Sequence, residues 1–185
     1  MLTPLVTAIA TIALSAAAFV AKPPAPTTPP APKAPANAPT IPSSAFVTEK
    51  PKDAKPIAEV RKSAKKGDTV VIEAKIGGRA EPFVKNRAVF MVADRKLKSC
   101  DEIPGDNCPK PWDYCCEPPE SKKVNMMTVQ FADKDGKPLK VGAEGVNGLE
   151  PLALVVFEGT VAELDDKGNF VVSVTKIFVE KPAKK

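Results

Sequence analysis

The sequence predicts an all-β protein: a small closed five-stranded barrel, preceded by one short helix and carrying a cysteine-rich insertion between the second and third strands. Three observations lead there. Five segments between residues 69 and 179 either alternate apolar and polar side chains or run as short β-branched stretches, the period of extended chain with a buried face. The last two are long and are joined by Asp165-Asp-Lys-Gly-Asn169, a hairpin turn sequence. Five short strands left open would expose two sheet edges, and closure removes them.

Taken in order, the chain begins with a run from Leu2 to Ala21 in which no side chain is charged, and Ala16-Ala17-Ala18 supplies the small-residue pattern that signal peptidases accept. The expectation is an export signal over 1–21, cleaved near Phe19, or the same segment kept as a membrane anchor, since about 20 apolar residues span a bilayer. Either way the body is expected in the periplasm, in the cell envelope or secreted, and it touches a membrane only through this segment if uncleaved. No cysteine precedes Cys100, so a lipoprotein attachment at this end is excluded. Residues 22–56 hold eleven of the 21 prolines, with Ala, Thr and Ser filling most other places. Proline fixes φ and lacks a donor, so a polyproline II tether is expected, able to reach on the order of 100 Å. Phe46 and Val47 are the residues placed to pack on the domain edge.

Roughly 130 residues then remain, enough for one domain, read over 57–180, with 181–185 a basic tail. Ile57, Val60 and Ala64 share a helical face, and Gly67-Asp68 ends it. The first strand, 69–76, sets Val70, Ile72, Ala74 and Ile76 on one face and Val71, Glu73 and Lys75 on the other, and Gly77-Gly78 stops it. The second is 88–94. In the third, 126–132, Met127, Val129 and Phe131 point inward and Thr128 and Gln130 outward. The fourth and fifth are 152–164 and 170–179.

Charge and composition exclude more than they assign. There is no histidine, which removes Ser/His/Asp and Cys/His pairs, imidazole metal ligands and the usual general base near neutral pH. Setting aside Lys22 and Lys33, 25 basic residues face 22 acidic ones, too small an excess for a broad polyanion-binding field. No phosphate-cradling glycine loop, dinucleotide fingerprint or nucleophile elbow occurs, so the chain is not read as an enzyme and no cofactor is expected.

The run Gly67-Asp-Thr-Val-Val-Ile-Glu-Ala-Lys-Ile-Gly-Gly78, then Ala88-Val-Phe-Met-Val-Ala-Asp94, then Val156-Phe-Glu-Gly-Thr-Val-Ala-Glu-Leu164 and Phe170-Val-Val-Ser-Val-Thr-Lys-Ile177 resemble the OB-fold of the nucleic-acid-binding, tRNA-anticodon/helicase type. The resemblance covers about residues 57–180 and implies an OB-like barrel in an exported bacterial protein. It departs from that family in two places: the helix between strands three and four shrinks to 141–148, and the loop between strands two and three is enlarged over 95–125. The resemblance implies nucleic acid as one partner. Yet the outward residues of the second and third strands, Val89, Met91, Ala93, Thr128 and Gln130, include no aromatic on which a base could stack. Lys75, Arg79, Lys85 and Arg87 cluster around the loop between the first two strands, and the only tryptophan and tyrosine, Trp112 and Tyr114, lie in the insertion. These six are the candidate ligand-binding residues, against a reading in which the basic loop is merely solvated and the aromatics cap the barrel mouth.

All four cysteines, Cys100, Cys108, Cys115 and Cys116, fall in the insertion. In an oxidising space two disulfides are expected, with Cys115 and Cys116 each reaching back to Cys100 or Cys108, because a bond between neighbours would strain its ring. Each closed loop would add about 3 kcal/mol. The alternative is a thiolate site for zinc or copper, with Asp101, Glu102, Asp106, Asp113 and Glu117 nearby for harder ions. The spacing of seven residues, then six, then none departs from the paired spacing of a zinc knuckle, and no Cys-x-x-Cys marks a redox pair. The chain is thus read as a monomeric, exported, tethered binding module with a disulfide-held recognition loop for an envelope protein or polymer; nucleic-acid binding and a Zn/Cu or redox site are the alternatives.

Overall fold

The structure, a computed structural model, describes residues 40–180; the expected signal or anchor, the first half of the expected tether and the basic tail lie outside the described residues. Five strands, β1 (Thr69–Ile76), β2 (Val89–Ala93), β3 (Met126–Gln130), β4 (Leu154–Leu164) and β5 (Phe170–Val179), close in the order β1-β2-β3-β5-β4, with β4 returning to β1. Every pairing is antiparallel except β3 with β5. This is a closed five-stranded barrel, consistent with an OB-like fold, and the cysteine segment is inserted between β2 and β3, as the sequence predicts. Period-two patterning fixed the register: Ile72, Phe90, Val129 and Phe157 all point into the core with no exposed surface. Phe90 sits between Phe83 and Phe131, with ring centroids 5.6 and 6.3 Å apart.

Closure depends on β4, which pairs with β1 along one side and β5 along the other, with its register against β5 shifting between Glu158 and Gly159. A side chain at Gly159 would put its Cβ 2.5 Å from the Ser173 carbonyl oxygen and 2.7 Å from Val172 Cγ1. Glycine is therefore required by close backbone approach at the point where the long strand bends.

The helix α1 spans Ile57–Ser63, shorter than the predicted segment, because Ala64 turns extended and the Asp68 carboxylate accepts the Lys65 amide at 2.8 Å. Ile57 and Val60 are buried at the barrel end. Arg61 stacks over Phe170 at 5.0 Å and donates to the carbonyls of Met126 (2.7 Å) and Val124 (3.2 Å), tying α1 to the entry of β3. A second helix, α2 (Pro119–Asn125), was not predicted. It buries no residue and so leaves no apolar periodicity to read, although proline in its first turn marks its start.

The tether reading needs correction over its second half. Residues 40–56 lie along the barrel: Ala45 joins the core, Val47 donates to the Ile177 carbonyl at 2.9 Å, and Lys55 exchanges backbone bonds with Val71 and Glu73 at 3.0 and 3.1 Å. Prolines 42, 51 and 56 are tolerated because residues between them supply the amides that pair. Phe46 bridges Ile177 and rests on Phe131 at 5.8 Å, in line with the edge packing expected of it. None of the helices among the described residues is long and apolar enough to cross a membrane.

Candidate functional site

The insertion leaves and rejoins the barrel at one neck. Asp94, almost fully buried, donates its amide to the Asn125 carbonyl at 2.7 Å, while its carboxylate accepts the Lys96 amide at 3.0 Å and the Ala58 amide at 3.4 Å. From there the loop folds back over the barrel's outer face. Gly78 donates to the Trp112 carbonyl at 2.7 Å, and a Cβ on Gly77 would stand 2.6 Å from that same oxygen. The Gly77-Gly78 pair, read from sequence as a strand stop, also opens the space in which the insertion docks.

Tyr114 anchors the docked loop. It is fully buried against Ala93, Leu97 and Met126, a satellite core separate from that of the barrel. Its φ of +56° places a non-glycine residue in the left-handed region, at a cost of about 1–2 kcal/mol, and the kink lets the ring point inward while the following cysteines turn back outward. Burial, and then the neighbouring Glu102 carboxylate, raise its phenol well above the ordinary tyrosine range. The expectation that Tyr114 contacts a ligand is therefore corrected: it has no surface to offer. Trp112 is half-buried and donates from Nε1 to the Ala80 carbonyl at 3.2 Å.

Lys75 is corrected in the same way. It faces out of β1, yet the insertion covers it, and Nζ donates to Ser99 Oγ at 3.1 Å and Glu102 Oε2 at 2.8 Å. That Glu102 oxygen also accepts the amide and the hydroxyl of Ser99, both at 2.9 Å. Partial burial raises the Glu102 carboxyl, but the bonds from Lys75 and Ser99 outweigh it, so the group titrates below the ordinary glutamate range. An undocked loop would bind the proton more readily. Docking strength is thus complete above the ordinary glutamate range and falls as pH drops through the lowered value. Trp112 emission followed from neutral to acid should show this release, and Lys75→Met should lose the part of the transition that belongs to Glu102.

The four cysteines converge. Cys115 Sγ lies 3.6 Å from Cys100 Sγ, 3.8 Å from Cys108 Sγ and 3.8 Å from Cys116 Sγ, and Cys100 Sγ is within 4.8 Å of all three others. The predicted disulfides are not formed in this structure: a bonded pair would be about 2.05 Å apart. Crowding by Cys100, Cys108 and Cys116 raises the Cys115 thiol far above the ordinary range. Contact with Cys115 lowers the Cys116 thiol, but its bond to Asp106, 3.4 Å away, and the nearby Asp106 charge raise it, and the net shift is upward. Two Asx turns set the loop shape, with Asp106 accepting the Cys108 amide at 2.8 Å and Asp113 accepting the Cys115 amide at 2.7 Å. Linear spacing hid this cluster, because turns and the left-handed Tyr114 bring together what the sequence separates.

Beside the insertion, a cavity of about 360 Å³ crosses the outer face of β2, β3 and β5. Its floor includes Met91, Thr128 and Val171, which are register partners across the three strands. Arg79 lines it together with Lys122 and Lys123 of α2 and Asn169 of the β4–β5 turn. Of the basic residues singled out from sequence only Arg79 lies here; Lys85 and Arg87 are exposed on the turn before β2 and do not line it. Lys122 and Lys123 were missed because α2 itself was.

Fold and site together define a closed five-stranded β-barrel bearing a docked four-thiol loop beside an open groove. The chain matches no family model, no curated protein and no solved structure.

Proposed function

We propose that this protein is an exported, tethered binding module that holds an extended anionic ligand in the groove over β2, β3 and β5. The observation that carries the reading is the groove itself: a mixed floor of Met91, Thr128 and Val171, lined also by the three cations Arg79, Lys122 and Lys123. Methionine and threonine at the floor offer adaptable contact without aromatic stacking, which suits a polymer recognised mainly through its charged backbone. Export rests on the uncharged segment before Ala21, and protein recovered from an export-competent host should have an intact mass starting near Phe19.

The test is binding of a labelled single-stranded oligothymidylate, followed by fluorescence anisotropy between 50 and 200 mM salt. Three phosphate contacts predict an affinity loss of roughly 20-fold across that range. Replacing Arg79, Lys122 and Lys123 together with glutamine should remove both the binding and its salt dependence. Binding that ignores salt, or that survives the triple change, defeats the reading.

A further inference from the structure

We infer that Cys100, Cys108, Cys115 and Cys116 form a mononuclear tetrathiolate site for a soft divalent cation, zinc, whose role is to hold the docked insertion in shape. The inference stands on sulfur geometry and does not depend on what the groove binds. Four sulfurs at about 2.3 Å from one tetrahedral ion lie about 3.8 Å from one another. Three separations around Cys115 are 3.6, 3.8 and 3.8 Å, and those from Cys100 to Cys108 and to Cys116 are within 4.8 Å. Three of the six edges of a sulfur tetrahedron are therefore at the length that a shared ion sets, the two from Cys100 to Cys108 and Cys116 lie within 4.8 Å, and all four cysteines are free.

Groups other than the cysteines hold this arrangement. Tyr114 is packed in its satellite core, the Trp112 carbonyl is seated on Gly78, Cys100 donates its amide to the Pro111 carbonyl at 2.9 Å, and Lys75 clasps Glu102. The thiols are thus gathered by the loop's own fold, as a preformed metal site requires. The donor chemistry selects the ion: with no histidine in the chain and four thiols gathered around Cys100 and Cys115, zinc fits better than a hard cation, and four protein ligands would leave no open position for catalysis. Binding converts four thiols to thiolates, releases four protons and leaves the centre with a net charge of −2. Cys115 and Cys116 are exposed, so a chelator can reach the ion.

The experiment uses the full chain, purified from an exporting host without reductant or chelator. Elemental analysis is expected to find one zinc per chain, with four thiols that react fast only after chelation. Replacement by cobalt should give thiolate-to-metal charge transfer together with the ligand-field bands of a tetrahedral site. Cys116→Ser, at an exposed position, should lose the stoichiometric metal while barrel circular dichroism is kept, which separates loss of the site from loss of the fold. An intact mass four protons light with no metal bound, or four fast-reacting thiols in metal-free protein with Trp112 emission unchanged by added zinc, would overturn the inference.

Discussion

Tyr114→Ala is expected to release the cysteine insertion from the barrel while leaving the barrel closed. The ring is fully buried among Ala93, Leu97 and Met126, and these residues form a cluster apart from the main core. Deleting a buried aromatic costs roughly 3–5 kcal/mol, and here nearly all of it falls on docking. The reporter is built in: Trp112, the only tryptophan, lies two residues away on the same loop, so its emission should shift towards that of a solvated indole. Amide exchange should rise over 95–118 and stay slow in β1, β4 and β5. Tyr114→Phe is the control. The buried hydroxyl has no hydrogen-bond partner, so its removal should be neutral or slightly stabilising. A Tyr114→Phe variant as damaged as Tyr114→Ala would show that the hydroxyl, and not ring packing, carries the anchor.

Gly159→Val should unfold the barrel itself. The Cβ would meet the Ser173 carbonyl oxygen at 2.5 Å and Val172 Cγ1 at 2.7 Å, so β4 must move away from β5 along its central stretch. Overpacking of this kind costs up to about 3 kcal/mol when side chains can yield. Here the obstacle is partly backbone, and the loss should reach at least that figure. Chemical denaturation followed by far-ultraviolet circular dichroism measures it directly. A midpoint unchanged from the parent protein would mean that the β4 bend relaxes without cost. Gly67→Ala makes an instructive contrast: no heavy atom lies within 4 Å of the added methyl, and only the positive φ of +95° resists it, so its effect should be much smaller.

The barrel was largely legible because its information is local. β1 and β5 fall where alternation places them, and the inward set Phe90, Val92, Met127 and Val129 follows from period two alone. The site was less legible because its geometry is not periodic. α2 buries nothing and left no apolar stripe; Lys122 and Lys123 therefore went unnoticed as part of the groove. The outward alternation of Lys75 predicts a surface cation, and only the insertion folding over β1 converts it into a covered partner of Glu102. The prolines of residues 40–56 predict a tether, yet the amides between those prolines pair with the barrel.

By itself the sequence determined the strand count, the facing of the first three strands and the position of the insertion, since each of these is written in hydrophobic period and turn residues over a few neighbours. Tertiary structure decided which residues make a site. Cys100 and Cys115 are 15 positions apart and their sulfurs 3.6 Å apart, because two Asx turns, one left-handed tyrosine and a glycine pair without side chains fold the loop onto the barrel. Such convergence arises from packing between distant segments, and no spacing along the chain encodes it.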